Sequence, residues 1–253
     1  MRKHIAAVIS MAVIAVIFNS GCSSKTIEFG HYEQDNNTSN GKEPITWIIL
    51  GKNSKGQSLV ISEKVLDVKQ FNTSAMPITW ENSTIRSWLN GYNASYNSAG
   101  KDYTSDNFID TAFTAAEKAK IVEVTIPAHK NPVYHTTPGN DTTDKIFLLS
   151  IVEAENYFTN NENRQTDATR YAVRQGAFVY GSESTERTSD NSCTDTYCYS
   201  QWWLRSPGND ADYVATITDK GEILYGNGSL INSNGDKVDC QNFGIRPAFW
   251  IQY

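Results

Sequence analysis

The chain has 253 residues, a formal net charge of −6 and 39% hydrophobic residues. This acidic balance argues against nucleic acid as a partner, because phosphate binding depends on clustered lysine and arginine. The length suffices for one large domain with a buried core, and no Gly/Ser-rich or Pro-rich linker divides the sequence.

The first 22 residues have the layout of a bacterial export signal. Arg2 and Lys3 precede an apolar run over residues 5–18, which is followed by small residues and Cys22. This run is shorter than the roughly 20 residues that a membrane-spanning helix needs. The pattern therefore predicts removal of residues 1–21 and attachment of a lipid to Cys22.

The predicted lipoprotein is exported and lipid-anchored to the bacterial cell envelope or surface. Residues 22–26 would form a tether, and residues 27–253 would form a single domain. Because the mature chain is acidic, contact with the membrane is expected through the lipid alone. The alternative is an ordinary cleaved signal with a soluble product, since Asn19 stands where a lipidation signal usually has an aliphatic residue.

A β-hairpin and a helix are predicted near the start of the domain. β-Branched residues at 45–50 and 58–62 flank a turn-rich segment, which is typical of a hairpin. Asn82 or Ser83 is a good N-cap for an amphipathic helix. The apolar residues of this helix recur at helical spacing: Ile85, Trp88 and Leu89. The Asn-rich residues 93–97 are interpreted as a surface loop.

Two capping boxes predict further helix starts, since each lets a hydroxyl and a carboxylate satisfy free backbone donors. The boxes are Thr114 with Glu117 and Ser150 with Glu153. Residues 121–126 and 146–150 have the composition of strands. A polar loop over residues 127–145 is predicted to join these strands.

Strands and loops are predicted for the C-terminal part of the chain. Residues 213–218 and 222–226 flank residues 219–221, Asp-Lys-Gly, in which glycine supplies the positive φ of a hairpin turn. Residues 245–251 form a last predicted strand. With no internal repeat, the pattern indicates an α+β domain of mostly antiparallel, twisted sheets with a few short helices and long loops.

Seven segments of the chain carry a family resemblance when they are read in order. They are IEFGHYEQ, PITWIIL, WENSTIRSWLN, FTAAEKAKI, DKIFLLSIVEAENYF, QWWLRSPG and GIRPAFWI. From residue 27 to 251 the chain thereby resembles domain of unknown function 6273, a family of bacterial surface and secreted proteins. The resemblance implies a fold of the C-type lectin type, as in formylglycine-generating enzymes, and it implies no activity.

The aromatic and arginine residues of these segments are interpreted as structural. Buried indoles contribute large apolar area, and arginines can donate to backbone carbonyls or to a buried carboxylate. Alternation along a strand predicts that only one of Trp202 and Trp203 faces the core. The alternative is that one of the arginines holds an anionic ligand. The structural set comprises Trp88, Trp202, Trp203, Arg205, Arg246 and Trp250.

Three cysteines remain after Cys22, namely Cys193, Cys198 and Cys240. Export favours disulfides, and Cys198 could pair with Cys193 or with Cys240, with buried thiols as a further alternative. Formylglycine-generating enzymes also have active cysteines five residues apart, so the resemblance allows an oxidase that uses Cys193 and Cys198. Because the flanking residues depart from that enzyme pattern, the chain is predicted not to be an enzyme.

No cofactor is predicted, and calcium is the metal with the most suitable residues. Residues 208–212 and 232–239 supply carboxylate and amide oxygens, which calcium prefers. Asn, Asp and Gly also make ordinary turns, which is the alternative interpretation. The histidines are too few and too scattered for a zinc site.

Loops rich in Asn, Ser, Asp, Tyr and Gly cover residues 180–200 and 208–242, and this composition is typical of recognition loops. They predict non-catalytic binding of an extracellular glycan or protein. The predicted contacts are Tyr197, Tyr199, Asn209, Asp210, Asp212, Tyr213, Tyr225 and Asn227. The alternative is a structural protein of the cell envelope that binds no small ligand.

Overall fold

A computed structural model describes residues 25–181, 198–226 and 237–252. Short helices accompany mostly antiparallel strands, which confirms the predicted α+β class. The strands are β1 (Thr26–Tyr32), β2 (Glu43–Lys52), β3 (Ser58–Ser62), β4 (Asp67–Val68), β5 (Ile121–Val122), β6 (Val124–Ile126), β7 (Thr142–Asp144), β8 (Val179–Gly181), β9 (Cys198–Ser200), β10 (Trp202–Pro207), β11 (Val214–Ile217), β12 (Ile223–Leu224), β13 (Gly244–Ile245) and β14 (Ala248–Ile251). The α-helices are α1 (Thr84–Asn90), α2 (Phe108–Ala112), α3 (Ala115–Lys118), α4 (Ile151–Tyr157), α5 (Asn161–Arg164) and α6 (Arg170–Arg174). Single 3₁₀ turns cover Trp80–Asn82 and Ala94–Tyr96.

Two five-stranded sheets form the framework of the fold. The first has the strand order β1-β2-β3-β14-β5 and is antiparallel throughout. The second has the order β12-β11-β10-β13-β4, in which β10 and β13 run parallel. The hairpins β6–β7 and β8–β9 form two-stranded sheets. In the part of the chain that is described, every helix is too short or too polar to cross a membrane.

The chain passes between the two sheets after β3 and again after β13, and Arg246 ties these two crossings together. The Nε of Arg246 donates to the carbonyl of Ser62, at the end of β3, over 2.7 Å. The amide of Ser62 in turn donates to the carbonyl of Pro247 over 3.0 Å. Residues 245–251, predicted as one strand, are therefore two strands in different sheets, because the chain changes sheets at the Arg-Pro step.

Trp202 and Trp203 of β10 are both fully buried, so the prediction that only one of them faces the core is wrong. The Trp203 ring packs on Phe243 with centroids 4.3 Å apart, whereas Trp202 lies 5.1 Å from the guanidinium of Arg246. β10 is the central strand of its sheet, and both faces of the sheet are covered at this strand. In a strand that is buried on both faces, apolar and polar residues need not alternate, because neither face contacts solvent.

The predicted hairpins and helix caps are confirmed. β2 pairs with β3, and β11 pairs with β12, each antiparallel. Ser83 caps α1, and the predicted apolar residues of that helix are buried. Both capping boxes are complete, at the starts of α3 and α4. These signals are reliable because residues close in sequence satisfy them without help from the rest of the fold.

Two strand predictions are wrong in part. Residues 146–150 are buried but form no strand, since Phe147 alone makes a bridge, to Ala248. Residues 121–126 divide into β5, which pairs with β14, and β6, which pairs with β7. β7 itself lies within residues predicted as loop. Apolar composition indicates burial, whereas strand pairing depends on partners that are distant in sequence.

Candidate functional site

An open groove of about 550 Å³ lies between helix α1, the turn that follows it and the β6–β7 hairpin. This volume is within the range of ligand-binding pockets, roughly 300–1,000 Å³. In the described part of the chain, the lining residues are polar or tyrosine, without an aliphatic or phenylalanine side chain among them. They are Glu81, Asn82, Arg86, Tyr92, Ser95, Tyr96, Glu123, Asp141, Thr142 and Thr143. We call this site the tyrosine groove.

Helix α1 and its two ends shape one wall of the groove. The hydroxyl of Ser83 accepts a hydrogen bond from the amide of Arg86, which fixes the first turn of the helix. The helix ends at Gly91, whose φ of 69° lies in the left-handed region that favours glycine. This reversal brings Tyr92 back over the helix and leads directly into the 3₁₀ turn Ala94–Tyr96.

Behind the lining of the tyrosine groove lies a buried carboxylate, to which four side chains donate hydrogen bonds. Asp144, on β7, is 0% exposed, and the Nε of Arg86 lies 2.8 Å from its Oδ1. Tyr92 donates to Oδ1 over 3.1 Å, while Trp80 and Thr142 donate to Oδ2 over 3.1 and 2.7 Å. A buried charge needs an opposite charge and hydrogen bonds, and Asp144 has both. The network therefore holds α1, β7 and Tyr92 in one arrangement.

Tyr92 and Tyr96 form an aromatic pair at the rim of the groove, with ring centroids 4.6 Å apart. The guanidinium of Arg86 lies 5.2 Å from the Tyr92 ring and supports it from below. Burial and the charge of Asp144 raise the pKa of Tyr92, against the opposing effect of Arg86, so its hydroxyl remains a proton donor at neutral pH. Tyr96 is 48% exposed. The pair thus presents aromatic surface to solvent from a fixed base.

Three carboxylates on the walls of the groove are accessible to solvent: Glu81, Glu123 and Asp141. Glu81 accepts hydrogen bonds from the side-chain amide of Asn140, at 3.2 Å to Oε1 and 3.0 Å to Oε2. Asp141 accepts a hydrogen bond from the amide of Ala128 over 2.7 Å. Both carboxylates are therefore held in place by the protein, and each retains free lone pairs for a ligand.

The electrostatic character of the tyrosine groove is negative. Arg86 is the one basic residue among the described residues of its lining, and this side chain is 8% exposed and already paired with Asp144. The accessible carboxylates consequently attract cations and hydrogen-bond donors and repel anions. They do not converge on a metal site. Among the residues described, three possible ligand atoms come within 4.8 Å of one another at Glu33, Asp35 and Glu43, outside this groove.

The structure brings five of the predicted ligand contacts together and places Tyr199 apart from them. The five are Asn209, Asp210, Asp212, Tyr213 and Tyr225, and the amide of Asn209 donates to the carbonyl of Gly226. Tyr199 lies on β9, before β10, whereas Asn209 follows β10, so the length of that strand, about 20 Å, separates them. The ligand-binding role predicted for Tyr199 stays a prediction. Tyr197 and Asn227 lie outside the described residues.

Both tyrosines of the group of five contact the protein itself. The hydroxyl of Tyr225 donates to Glu155 over 2.9 Å, and the amino group of Lys237 lies 5.7 Å from the Tyr213 ring. Asp210 accepts a hydrogen bond from the next amide in its turn. A ligand-binding role for these residues stays a prediction. So does calcium, although the described parts of the two acidic loops bring no three candidate ligand atoms together.

Arg205 and Arg246 are both buried and both donate to backbone carbonyls. Arg205 donates to Leu148 over 2.7 Å and forms an ion pair with Glu153 of the α4 capping box. The crevice beside Arg205 measures about 10 Å³, enough for one water molecule. Arg246 is 1% exposed, and burial lowers its pKa to about 9, against the opposing charge of Glu63. Neither guanidinium is open to a ligand from solution.

The other residues predicted to be structural or reactive either do not line the tyrosine groove or are not among the described residues. Trp88 packs on Phe108 with ring centroids 5.7 Å apart, and Trp250 is half-buried on β14. Cys240 is half-buried against the core. Cys22, Cys193 and the side chain of Cys198 lie outside the described residues. The lipid anchor, the disulfide and the oxidase alternative therefore stay predictions.

A family model, described as "Domain of unknown function (DUF6273)", matches residues 55–253. The chain belongs to this family. The matched region of the DUF6273 domain contains β3 to β14, helices α1 to α6 and the described lining of the tyrosine groove, whereas β1 and β2 precede it. No curated protein and no solved structure matches the chain. The expected resemblance to the C-type lectin fold consequently stays a prediction.

Sequence reasoning missed the tyrosine groove. The sequence predicts residues 93–97 as a surface loop, and it gives the helix before them no role beyond packing against the core. One signal was present, since Tyr92 and Tyr96 are four residues apart among small polar residues. The opposite wall, with Glu123 and Asp141, comes from a hairpin that the sequence did not predict. The sequence therefore could not show that these residues lie near Tyr92 and Tyr96.

Proposed function

We propose that this DUF6273 domain binds an extracellular glycan without transforming it, and that the ligand lies in the tyrosine groove. The observation that carries the proposal is the lining of the groove: an accessible tyrosine pair beside carboxylate, amide and hydroxyl groups, with no aliphatic residue. A sugar ring has apolar C–H faces that pack on aromatic rings and hydroxyl groups that donate to such acceptors. A groove of this composition suits a hydroxylated ligand better than an apolar one.

The rigidity of the groove also supports binding. Tyr92 is fixed by Asp144 and Arg86, and Glu81 and Asp141 each accept hydrogen bonds from other groups of the protein. Groups that are ordered before the ligand arrives lose little conformational entropy on binding, which favours affinity. A protein partner is the weaker alternative, because protein interfaces usually bury an apolar centre and this lining lacks one.

The proposal includes display of the domain outside the cell. The support is the export pattern of residues 1–21 and the cysteine that follows it. We expect the wild-type protein to incorporate a fatty-acid analogue and to fractionate with membranes, and we expect Cys22→Ser to lose both. Unchanged labelling and retention in this variant would remove the lipid anchor and leave glycan binding to be tested by itself.

Glycan binding can be tested with the mature protein on an oligosaccharide array, followed by calorimetric titration of the best ligands. Tyr96→Ala should weaken binding by about tenfold or more, because it removes the accessible ring of the pair. Tyr134→Ala is the matched control, since Tyr134 is also exposed, at 37%, and does not line the groove. Equal affinities of the two variants would overturn the proposal.

Absence of catalysis is tested in the same samples. Prolonged incubation with each bound oligosaccharide should return it intact, as judged by mass spectrometry. A shortened or modified product that depends on Glu81, Glu123 or Asp141 would convert the binding site into an active site and overturn the non-catalytic part of the proposal.

A further inference from the structure

We propose that the glycan recognised in the tyrosine groove carries free amino groups, so that the ligand is a cationic oligosaccharide. This inference rests on the proposed function and adds the charge of the ligand to it. The groove and its tyrosine pair define the position of the site, and the charges on its walls indicate the charge of the ligand.

The balance of charge in the lining favours a positive ligand. Glu81, Glu123 and Asp141 are accessible, and Arg86, the one basic residue among the lining residues described, is 8% exposed and paired with Asp144. A neutral sugar would leave these carboxylates without a counter-charge and would partly remove them from water. An ammonium group offers three donors and an opposite charge, so it replaces the lost solvation.

The arrangement of the carboxylates favours an extended cationic ligand over a metal ion. They come from three separate places in the chain: the 3₁₀ turn before α1, the residue between β5 and β6, and the residue before β7. In the described residues they do not form a group with three ligand atoms within 4.8 Å. Carboxylates at separate places can each pair with a different amine of a linear oligosaccharide, which carries one amine for each sugar ring.

The tyrosine pair adds a second attraction for the same ligand. An ammonium group near a tyrosine face gains cation–π energy, and the sugar ring that bears the amine stacks on the exposed Tyr96. A basic peptide shares the charge but not the ring, and its long aliphatic side chains would find no apolar lining here. The groove therefore favours an amino sugar.

The test compares two oligosaccharides of equal length and linkage, the β-1,4 hexamers of glucosamine and of N-acetylglucosamine, by calorimetric titration near pH 6. The glucosamine hexamer should bind about tenfold more tightly, since several exposed ion pairs each contribute up to roughly fivefold. Its affinity should fall between about 50 and 500 mM salt, because salt screens exposed charges. The affinity of the N-acetylglucosamine hexamer should change little over the same range of salt.

The double variant Glu123→Gln/Asp141→Asn should abolish this preference, whereas Glu28→Gln, an exposed residue on β1 outside the groove, should retain it. Equal, Tyr96-dependent binding of the two hexamers would overturn the cationic inference and leave the proposed function standing. Tyr96-dependent binding of hexalysine that is tighter than that of the glucosamine hexamer would overturn both. No Tyr96-dependent binding of any glycan would overturn the proposed function itself.

Discussion

Two parts of this DUF6273 domain place an arginine against aromatic rings, and they differ in whether solvent reaches those rings. The guanidinium of Arg246 lies 5.1 Å from the Trp202 ring and 5.5 Å from Phe158, and all three residues are buried. The guanidinium of Arg86 lies 5.2 Å from the Tyr92 ring, and the adjacent Tyr96 is exposed. We call the first the sealed cluster and compare it with the tyrosine groove.

The difference comes from where each arginine lies in the fold. Arg246 lies where the chain passes from one sheet to the other, and strands surround it. Arg86 lies on a seven-residue helix beside a two-stranded hairpin, and within residues 25–181, 198–226 and 237–252 no element covers the outer side of its aromatic neighbours. An arginine beside aromatic rings therefore joins sheets in one place and supports an accessible tyrosine pair in the other.

Truncating a side chain of the sealed cluster should give the largest loss in the free energy of unfolding. Trp202→Ala removes a fully buried indole and takes from the guanidinium of Arg246 the nearer of its two aromatic neighbours, so we expect a loss of about 4 kcal/mol in the free energy of unfolding. Urea denaturation followed by circular dichroism measures this. A loss below about 1 kcal/mol would show that the cluster is not the brace between the sheets.

Neutralising the buried carboxylate behind the tyrosine groove should reduce the free energy of unfolding somewhat less. Asp144→Asn keeps the volume of the side chain but leaves the buried Arg86 without its counter-charge, and we expect a loss of about 3 kcal/mol. The control is Asp110→Asn, whose partner Lys118 is at the surface and whose loss should stay below about 1 kcal/mol. Similar losses in the two variants would contradict the buried network.

A pH titration sharpens the comparison at Arg205, which is sealed like Arg246 but has a carboxylate partner. Glu153→Gln can keep the capping hydrogen bonds while it leaves Arg205 unpaired, so we expect a loss of about 2 kcal/mol at pH 7.

The sign of the pH dependence follows from the pKa of Glu153. Burial raises this pKa, but the charge and hydrogen bond of Arg205 and the hydrogen bonds to Ser150 outweigh burial, so the pKa is lowered from 4.5. The stabilisation is complete above pH 4.5 and is lost as the pH falls through the lowered value. The stabilities of wild type and Glu153→Gln should therefore converge in acid, and a constant gap between them would contradict the ion pair.

The smallest effect on stability should come from the rim of the groove. Tyr96→Ala removes a ring that is 48% exposed and should change the free energy of unfolding by no more than about 0.5 kcal/mol. Together with the expected loss of glycan binding, this would separate the two regions by function. If Tyr96→Ala destabilises the fold as strongly as Trp202→Ala, the pair is part of the core.

Local features of the fold were predictable from the sequence. The β2–β3 and β11–β12 hairpins, the Ser83 cap and the two capping boxes depend on residues a few positions apart, and all are present. Strand identity was less predictable where burial is complete. Residues 146–150 look like a strand but form only one bridge, because pairing partners elsewhere decide whether a buried run joins a sheet.

For the candidate site, the sequence by itself determined the local pieces: the capped helix, the glycine that reverses the chain after it, and the polar, tyrosine-bearing segment beyond. The tertiary structure decided that Asp144 lies beneath Arg86 and that Glu123 and Asp141 face Tyr96 across a groove. The hydrogen bonds of turns and helix caps are made by residues a few positions apart. The ion pair and hydrogen bonds of Asp144 instead join residues that are about 50 positions apart in the sequence. Such contacts leave no spacing in the sequence by which to find them.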